Sequence, residues 1–488
     1  MTTNQRDPQT DLAGVVIEVR VAVGDVVPAG QPLVVIEAME ERKAGIGTAT
    51  AAASEGANPR RFRTFDSLLD VPAFRWYLLS MTGNWSAMQM QQVARSYLAY
   101  QITGSFAALG LVELANTWPR LFLSLYGGVV ADRASRRVII QIGQGFNALN
   151  AGVIATLLFT GRLEFWHLIM MSFFQGILNS FVLPARQAMI PEIVGPQRLM
   201  NAFALNVFIM NVMRLGAPAI AGAIIAAMML RSGGNLFLSV GVVFTIMTLL
   251  NVVAVAGMFP VPKTNAATRA RLRGETSPET AWRGRDRLGF GDIKDGIAYL
   301  RREKIIIWLM VIHASTQTLA QPYQRMLPGF VEQVLGASPG ESAAFMGLLL
   351  TMTAVGALVG ALVIASMPDR QRGKLLAFSL ALFGITLIAF ASSTVFWISA
   401  GIVVVLGIGQ SLRQSIANVL IQSRVDEAYR GRVSAMMHLD DGLESLGVFG
   451  IAMLADFVGA QWTLAAVGAL MVVYGGVIWG TKTIRNLD

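Results

Sequence analysis

Apolar residues run along this chain in blocks of about twenty, separated by short polar stretches that carry most of the charge. A helix needs ~20 mainly apolar residues to cross a bilayer. On that count spans fall near 75–100, 106–130, 138–160, 165–186, 202–229, 235–258, 305–331, 342–366, 375–392, 395–420, 433–456 and 461–480, which makes twelve. The stretch 259–303 breaks the pattern: it is polar, rich in Arg, and contains Pro260, Pro262 and Pro278. Its end, Phe290 to Lys304, sets Ile293, Ile297 and Leu300 on one side of a helix, the pattern of an amphipathic helix on a membrane surface. The first residues follow another period. Positions 12–39 alternate like short strands around a Gly24-Asp25 turn, and after Lys43 small residues through Asn58 read as a linker. The expected organisation is a small β-rich appendage with its linker over 1–60, a six-helix bundle over 61–258, a cytoplasmic linker over 259–303 and a second six-helix bundle over 304–488. The appendage has too few strands for a stable core of its own.

Composition agrees with an all-α membrane protein. The chain is 54% hydrophobic and 14% charged, whereas soluble domains carry about 25% charged residues. Its net charge is +9, but the basic residues gather on one set of loops. Arg133, Arg136 and Arg137, Arg186 and Arg198, the 263–304 cluster, Arg370, Arg372 and Lys374, Arg424, Arg430 and Arg432, and Lys482 and Arg485 share one side; the other holds Arg162 and Arg231. The positive-inside rule then puts both termini in the cytoplasm of a multi-pass inner-membrane protein. It also accounts for the charge without nucleic acid. Cysteine is absent, which excludes disulfides, thiolate metal sites and cysteine nucleophiles. The first 70 residues lack the basic, apolar, small-residue order of a cleavable signal peptide. No Gly-x-x-x-x-Gly-Lys-[Ser/Thr] loop is present, so a gradient, not nucleotide hydrolysis, is the expected source of energy.

Several motifs sharpen this. The stretch Gly128-x-x-x-Asp132-Arg133-x-Ser135-Arg136-Arg137 resembles the loop 2–3 signature of the major facilitator superfamily of transporters, with Ser135 where that signature usually has Gly. A weaker partner lies at Asp369-Arg370-Gln-Arg372-Gly373-Lys374. The halves echo each other at an offset of about 232: Gln101-Ile-Thr-Gly104 falls on Gln333-Val-Leu-Gly336, and Gln92 on Gln324. Asp70-Val-Pro-Ala-Phe-Arg75, Trp118-Pro-Arg-Leu121, Pro184-Ala-Arg-Gln187 with Pro191-Glu192, and Arg430-Gly-Arg-Val433 resemble the enterobactin-exporter-like branch over roughly 66–480. The resemblance implies two pseudo-symmetric bundles with a site between them. It further implies a monomer without a cofactor that exports a siderophore or drug-like small molecule in exchange for protons. The loop acid would latch against the start of span 11, giving Gly128, Asp132, Arg133, Arg136, Arg137, Asp369 and Arg370 gating roles. The text from Gly24 to Met39 resembles the first half of a biotinyl/lipoyl carrier domain. Glu40 stands where the modified lysine would be, and a carboxylate cannot form that amide, so a vestigial or docking segment is expected.

Ionisable groups inside spans cost roughly 2.5–3.5 kcal/mol each on insertion scales, so each calls for a reason. Span 1 carries Asn84, Met88, Gln91 and Arg95 on one helical face; that stripe faces a cavity or another helix. Span 2 adds Glu113, Asn116 and Arg120. Arg95 and Glu113 read either as a buried structural pair or as part of a substrate cavity, with Arg95, Arg120 and Arg214 forming a basic wall for anionic, oxygen-rich ligands. Arg214-Leu-Gly216-Ala-Pro218 through Gly222 is similar to the Gly-Pro element of facilitator antiporters, or else marks ordinary close packing. His313, Gln317 and Gln321 extend a polar stripe along span 7. In span 11, Asp440, Asp441 and Glu444 crowd one arc near His438; carboxylates this close in a membrane cannot all stay charged, which suits a proton carrier. Arg413 is expected to pair with Asp440 or Asp441. A hydrated, salt-bridged cluster at the cytoplasmic mouth is the competing reading. An importer of the same fold, a receptor or scaffold that does not transport, and a biotin-dependent membrane enzyme remain as alternatives, the last opposed by the missing lysine.

Overall fold

The computed structural model describes residues 14–19, 34–38, 66–263, 299, 303–367, 371–426, 429, 433, 440–485 and 487. The chain divides into two units, 1–63 and 64–488. In the first, strands β1 (Gly14–Val19) and β2 (Val34–Ala38) pair antiparallel, with an irregularity between Val16 and Glu18. The expected Gly24-Asp25 turn lies outside the described residues, as does most of the expected surface helix before Lys304.

The second unit opens with one helical turn, Asp66–Asp70, and then builds a helical bundle. The first set of long helices is α1 (Pro72–Thr103), α2 (Phe106–Arg133), α3 (Arg136–Phe159), α4 (Phe165–Val194), α5 (Leu199–Arg231) and α6 (Leu236–Gly257). The second is α7 (Lys304–Ala320), α8 (Pro322–Gln333), α9 (Pro339–Ser366), α10 (Arg372–Ser392), α11 (Phe396–Arg424), α12 (Asp440–Val458) and α13 (Ala460–Gly480). Local chemistry sets many of the ends. Pro72 and Pro339 occupy first-turn positions, where a missing N–H costs nothing. Gly104 ends α1 at φ 64°, a left-handed turn that glycine adopts without steric cost. Ser338 and Glu341 close a capping box on α9.

Two expected spans are corrected. The run 305–331 is not one helix: it breaks after Ala320, because Pro322 lacks the N–H that would continue the ladder and instead starts α8. The span expected over 165–186 continues to Val194 through Pro184 and Pro191. Among the described residues, eight helices are long and apolar enough to cross a membrane: α3, α4, α5, α6, α9, α10, α11 and α13. Helices α1, α2, α7 and α12 fall short of that test, and they carry Arg95, Glu113, His313 and Glu444. A helix whose polar face is covered by protein does not need to be apolar all round.

Packing repeats from set to set. In the first, α2 lies along α4 and α3 along α6; in the second, α9 lies along α11 and α10 along α13. Gly176 lets α4 approach the Asn116 carbonyl of α2, and Gly407 lets α11 approach the Thr353 carbonyl of α9; a Cβ at either would collide with that backbone. Between the sets, α2 packs on α12 and α5 on α9. Gly222 meets Ala343 and Gly347 meets Pro218 in the α5–α9 contact, so this Gly-Pro stretch is tightly packed where it touches the other set.

Candidate functional site

A cavity of about 150 Å³ opens between the two sets. From the first, α5 contributes Asn211, Arg214 and Leu215, at the i, i+3, i+4 spacing of one helical face. From the second, α9 contributes Ala354, Ala357, Leu358 and Ala361, and α11 contributes Gln410, Ser411 and Gln414. One boundary is the α5–α9 contact, where Thr351 Oγ1 donates to the Leu215 carbonyl at 2.8 Å. Gln410 is held from behind: Tyr323 Oη and Gln324 Nε2 both donate to its Oε1, each at 3.2 Å. Of the residues expected at a substrate cavity, Arg214 is the one brought to this opening.

The polar stripe of α1 has a different fate. Asn84 accepts from Arg186 of α4, and Gln91 accepts from Gln175 at 2.9 Å. Arg95 donates to Gln175 and Ser172 at 3.2 and 3.3 Å, and Asn116 donates to the Ser172 carbonyl at 3.1 Å. Asn84, Gln91, Arg95 and Asn116 therefore face α4, the helix alternative, because α4 offers amide and hydroxyl partners at matching heights. Arg95 and Glu113 do approach, at 3.6 Å. Glu113 also accepts from Arg325 of α8 at 3.1 Å, a cross-set bond that the sequence reading missed. Arg120, half-buried after Pro119, lies near enough to act electrostatically on Glu113.

Arg413 is fully buried. It donates to Thr316 and Gln317 of α7 at 2.9 and 2.6 Å. Both partners are neutral oxygens on α7, and the expected pairing with Asp440 or Asp441 falls on side chains outside those described. Those two aspartate side chains and His438 lie outside the described residues. Glu444 is half-buried and acts electrostatically on Arg413. His313 is buried one turn before Gln317, and Gln321 forms the joint between α7 and α8.

The gating set is also redistributed. Gly128 lies inside α2, and the joint to α3 is only Ala134 and Ser135. Arg136, assigned a gating role beside nearby acids, bonds to Glu192 at 2.6 Å and the Ala188 carbonyl at 2.7 Å, both on α4. The short joint puts Arg136 in the first turn of α3, beside the end of α4. Arg137 donates to the Val261 carbonyl at 2.5 Å, its guanidinium 5.8 Å from the Phe259 ring centre. The side chains of Asp132 and Arg133, and residues Asp369 and Arg370, lie outside the described residues.

The opposite end of the bundle holds contacts that the motifs did not reveal. Asp456 of α12 accepts from Ser105 Oγ at 2.5 Å and from the Phe106 and Ala107 backbone N–H groups at 2.6 and 2.9 Å, so one set caps a helix of the other. Gln101 donates to Glu332, Gln333 donates to Tyr100 Oη at 2.8 Å, and Tyr97 Oη donates to the Pro339 carbonyl at 2.5 Å. The one available signal was the Gln101–Gln333 echo. An acid near the end of an apolar run, such as Asp456, carries no partner information in sequence.

A family model described as Major Facilitator Superfamily matches residues 77–439. The chain belongs to that superfamily. Among facilitator relatives, it is 25% identical to a staphyloferrin A transporter of Staphylococcus aureus, over 80% of this chain and 90% of that one. It is 21% identical to macrolide efflux protein A of Streptococcus pyogenes, over 81% and 93%, and 22% identical to the multidrug efflux pump Tap of Mycobacterium bovis, over 81% and 90%. Its fold is similar to that of the nucleoside transporter NupG, with TM-score 0.63 and 13% identity over 84% of this chain and 98% of that one. A bacterial homologue of the lysosomal transporter Spinster, solved inward-facing and occupied, gives TM-score 0.61 at 13% identity, over 84% and 97%. Family membership and the eight apolar helices make this a multi-pass membrane transporter.

Proposed function

We propose that this facilitator is a proton-coupled exporter of small amphipathic molecules of the siderophore or drug-like kind. The observation that carries the reading is an asymmetry between the two ends. Among the described residues, bonds between the sets gather around Gly104, Gly336 and Gly459, and a cavity opens between the same sets away from them. A carrier that alternates access needs one end closed while the other admits substrate. Charge on the loops argues that the closed end is external and that both termini are cytoplasmic.

The same reading takes the bundle as twelve spans, eight apolar plus α1, α2, the broken α7–α8 and α12, in two pseudo-symmetric halves acting as a monomer. Reciprocity supports it. At an offset of about 232, Tyr100 corresponds to Glu332 and Gln101 to Gln333, and the bonds run Gln101 to Glu332 and Gln333 to Tyr100. Such crossed pairing is what a local two-fold axis produces. Protons would be carried by Asp440, Asp441 and Glu444, with Arg413 and His313 as their polar surroundings. The name of the first relative favours a siderophore; the efflux relatives favour a drug-like molecule.

Proteoliposomes test this. An imposed pH gradient should drive accumulation of a siderophore or a drug-like organic anion by the wild-type protein, and collapse of the gradient by an ionophore should stop it. Asp440→Asn with Asp441→Asn should remove the gradient-driven flux while leaving substrate exchange. Full active flux in that double variant would reject the coupling assignment; no flux of any tested compound would reject export.

A further inference from the structure

The cavity between the sets contains one formal charge and many donors. Arg214 is its only ionisable liner, and no hydrogen bond or ion pair engages its guanidinium among the described residues. Among the described residues, four more polar side chains, Asn211, Gln410, Ser411 and Gln414, complete the polar lining, and none of the described liners is an acid. Gln410 is oriented by its neighbours. With Tyr323 and Gln324 both donating to Oε1, that atom must be the carboxamide oxygen, which leaves the NH₂ group to donate elsewhere. A second guanidinium reinforces the field. Arg413 shares α11 with Gln410 and Gln414, and both Arg214 and Arg413 act electrostatically on Tyr323. Glu444 offsets Arg413, whereas Arg214 has no such partner among the described residues. The wall from α9, which packs on both α5 and α11, is alanine and leucine.

We propose that Arg214, with the amide and hydroxyl donors of Gln410, Ser411, Gln414 and Asn211, is a recognition site for the carboxylate of an amphipathic organic anion, whose apolar body lies on α9. This rests on reading the cavity as the substrate site and adds its selectivity: carboxylates are accepted and lipophilic cations refused. A guanidinium binds a carboxylate with two parallel N–H bonds. A cation would meet Arg214 with no acid to neutralise it, and that repulsion is a specificity element in its own right.

A matched set of probes isolates charge from shape: benzoate, benzyl alcohol and benzylammonium, measured by equilibrium binding to the full-length protein in detergent. The wild type should bind benzoate at least roughly ten-fold more tightly than benzyl alcohol, as expected for a charge-assisted bond, and benzylammonium least. Arg214→Gln should erase the gap between benzoate and benzyl alcohol; Arg214→Lys should keep most of it. Benzylammonium binding as well as benzoate, a gap that survives in Arg214→Gln, or no benzoate binding at all would overturn the proposal. Circular dichroism of each variant checks that the fold is kept. Binding selectivity with no flux in proteoliposomes would sink export and leave this site standing.

Discussion

Residue by residue, the buried charges are held by neighbours on other helices, and those partners decide what each residue does. Arg136 and Glu192 form a close pair, both largely buried. Removing one partner of such a pair leaves an uncompensated charge and costs roughly 3–5 kcal/mol. Glu192→Ala should therefore lower the apparent melting temperature by several degrees, and Glu192→Ala with Arg136→Met should recover part of the loss; a thermal-shift assay in detergent reads both. Sequence identified most of these residues as polar groups inside or beside apolar runs that needed a reason. It could not say which polar face would meet which, because periodicity fixes a side of one helix and nothing about its neighbour. Asn84, Gln91 and Arg95 were correctly placed on one face, yet that face meets α4 instead of the cavity.

At the scale of the helix, the apolar blocks were the most legible feature. Their ends lie within a few residues of the helix ends, except where proline intervenes and at the start of α12, which adjoins residues outside those described. Pro322 divides one expected span, while Pro184 and Pro191 sit inside a continuous helix. Composition cannot separate these cases, since surrounding packing decides whether a missing N–H breaks or merely bends a helix. The α5–α9 contact offers a test at this scale. Gly347 lies against the Pro218 carbonyl, with no room for a Cβ. Gly347→Val should push these helices apart and slow alternation, cutting flux by about ten-fold or more, in keeping with core overpacking costs of typically 1–3 kcal/mol. Gly216, which faces open space, is the control: Gly216→Ala should leave flux within about two-fold of wild type. Proteoliposome initial rates compare the two.

Across the whole molecule, the internal echo at an offset of about 232 anticipated a contact that no single motif did. Gln101 and Gln333 were matched as text, and each donates across the line between the sets, one to Glu332 and the other to Tyr100. Asp456 strengthens the same end. Losing a carboxylate cap costs about 0.5–2 kcal/mol, enough to shift a two-state balance by roughly two- to thirty-fold. Asp456→Ala should therefore make a cysteine at Ser96, beside Arg95 and Glu113, react faster with an external membrane-impermeant maleimide. The native chain has no cysteine to add background. Equal rates with and without Asp456 would mean that this cap does not help to hold the end shut.

That cap also gives the molecule a built-in reporter. Whenever the halves part, the Phe106 and Ala107 amides lose their carboxylate acceptor to bulk water. Their deuterium uptake then counts the openings of this end, and slower uptake upon adding a compound would mark it as a ligand that favours the state in which this end is shut.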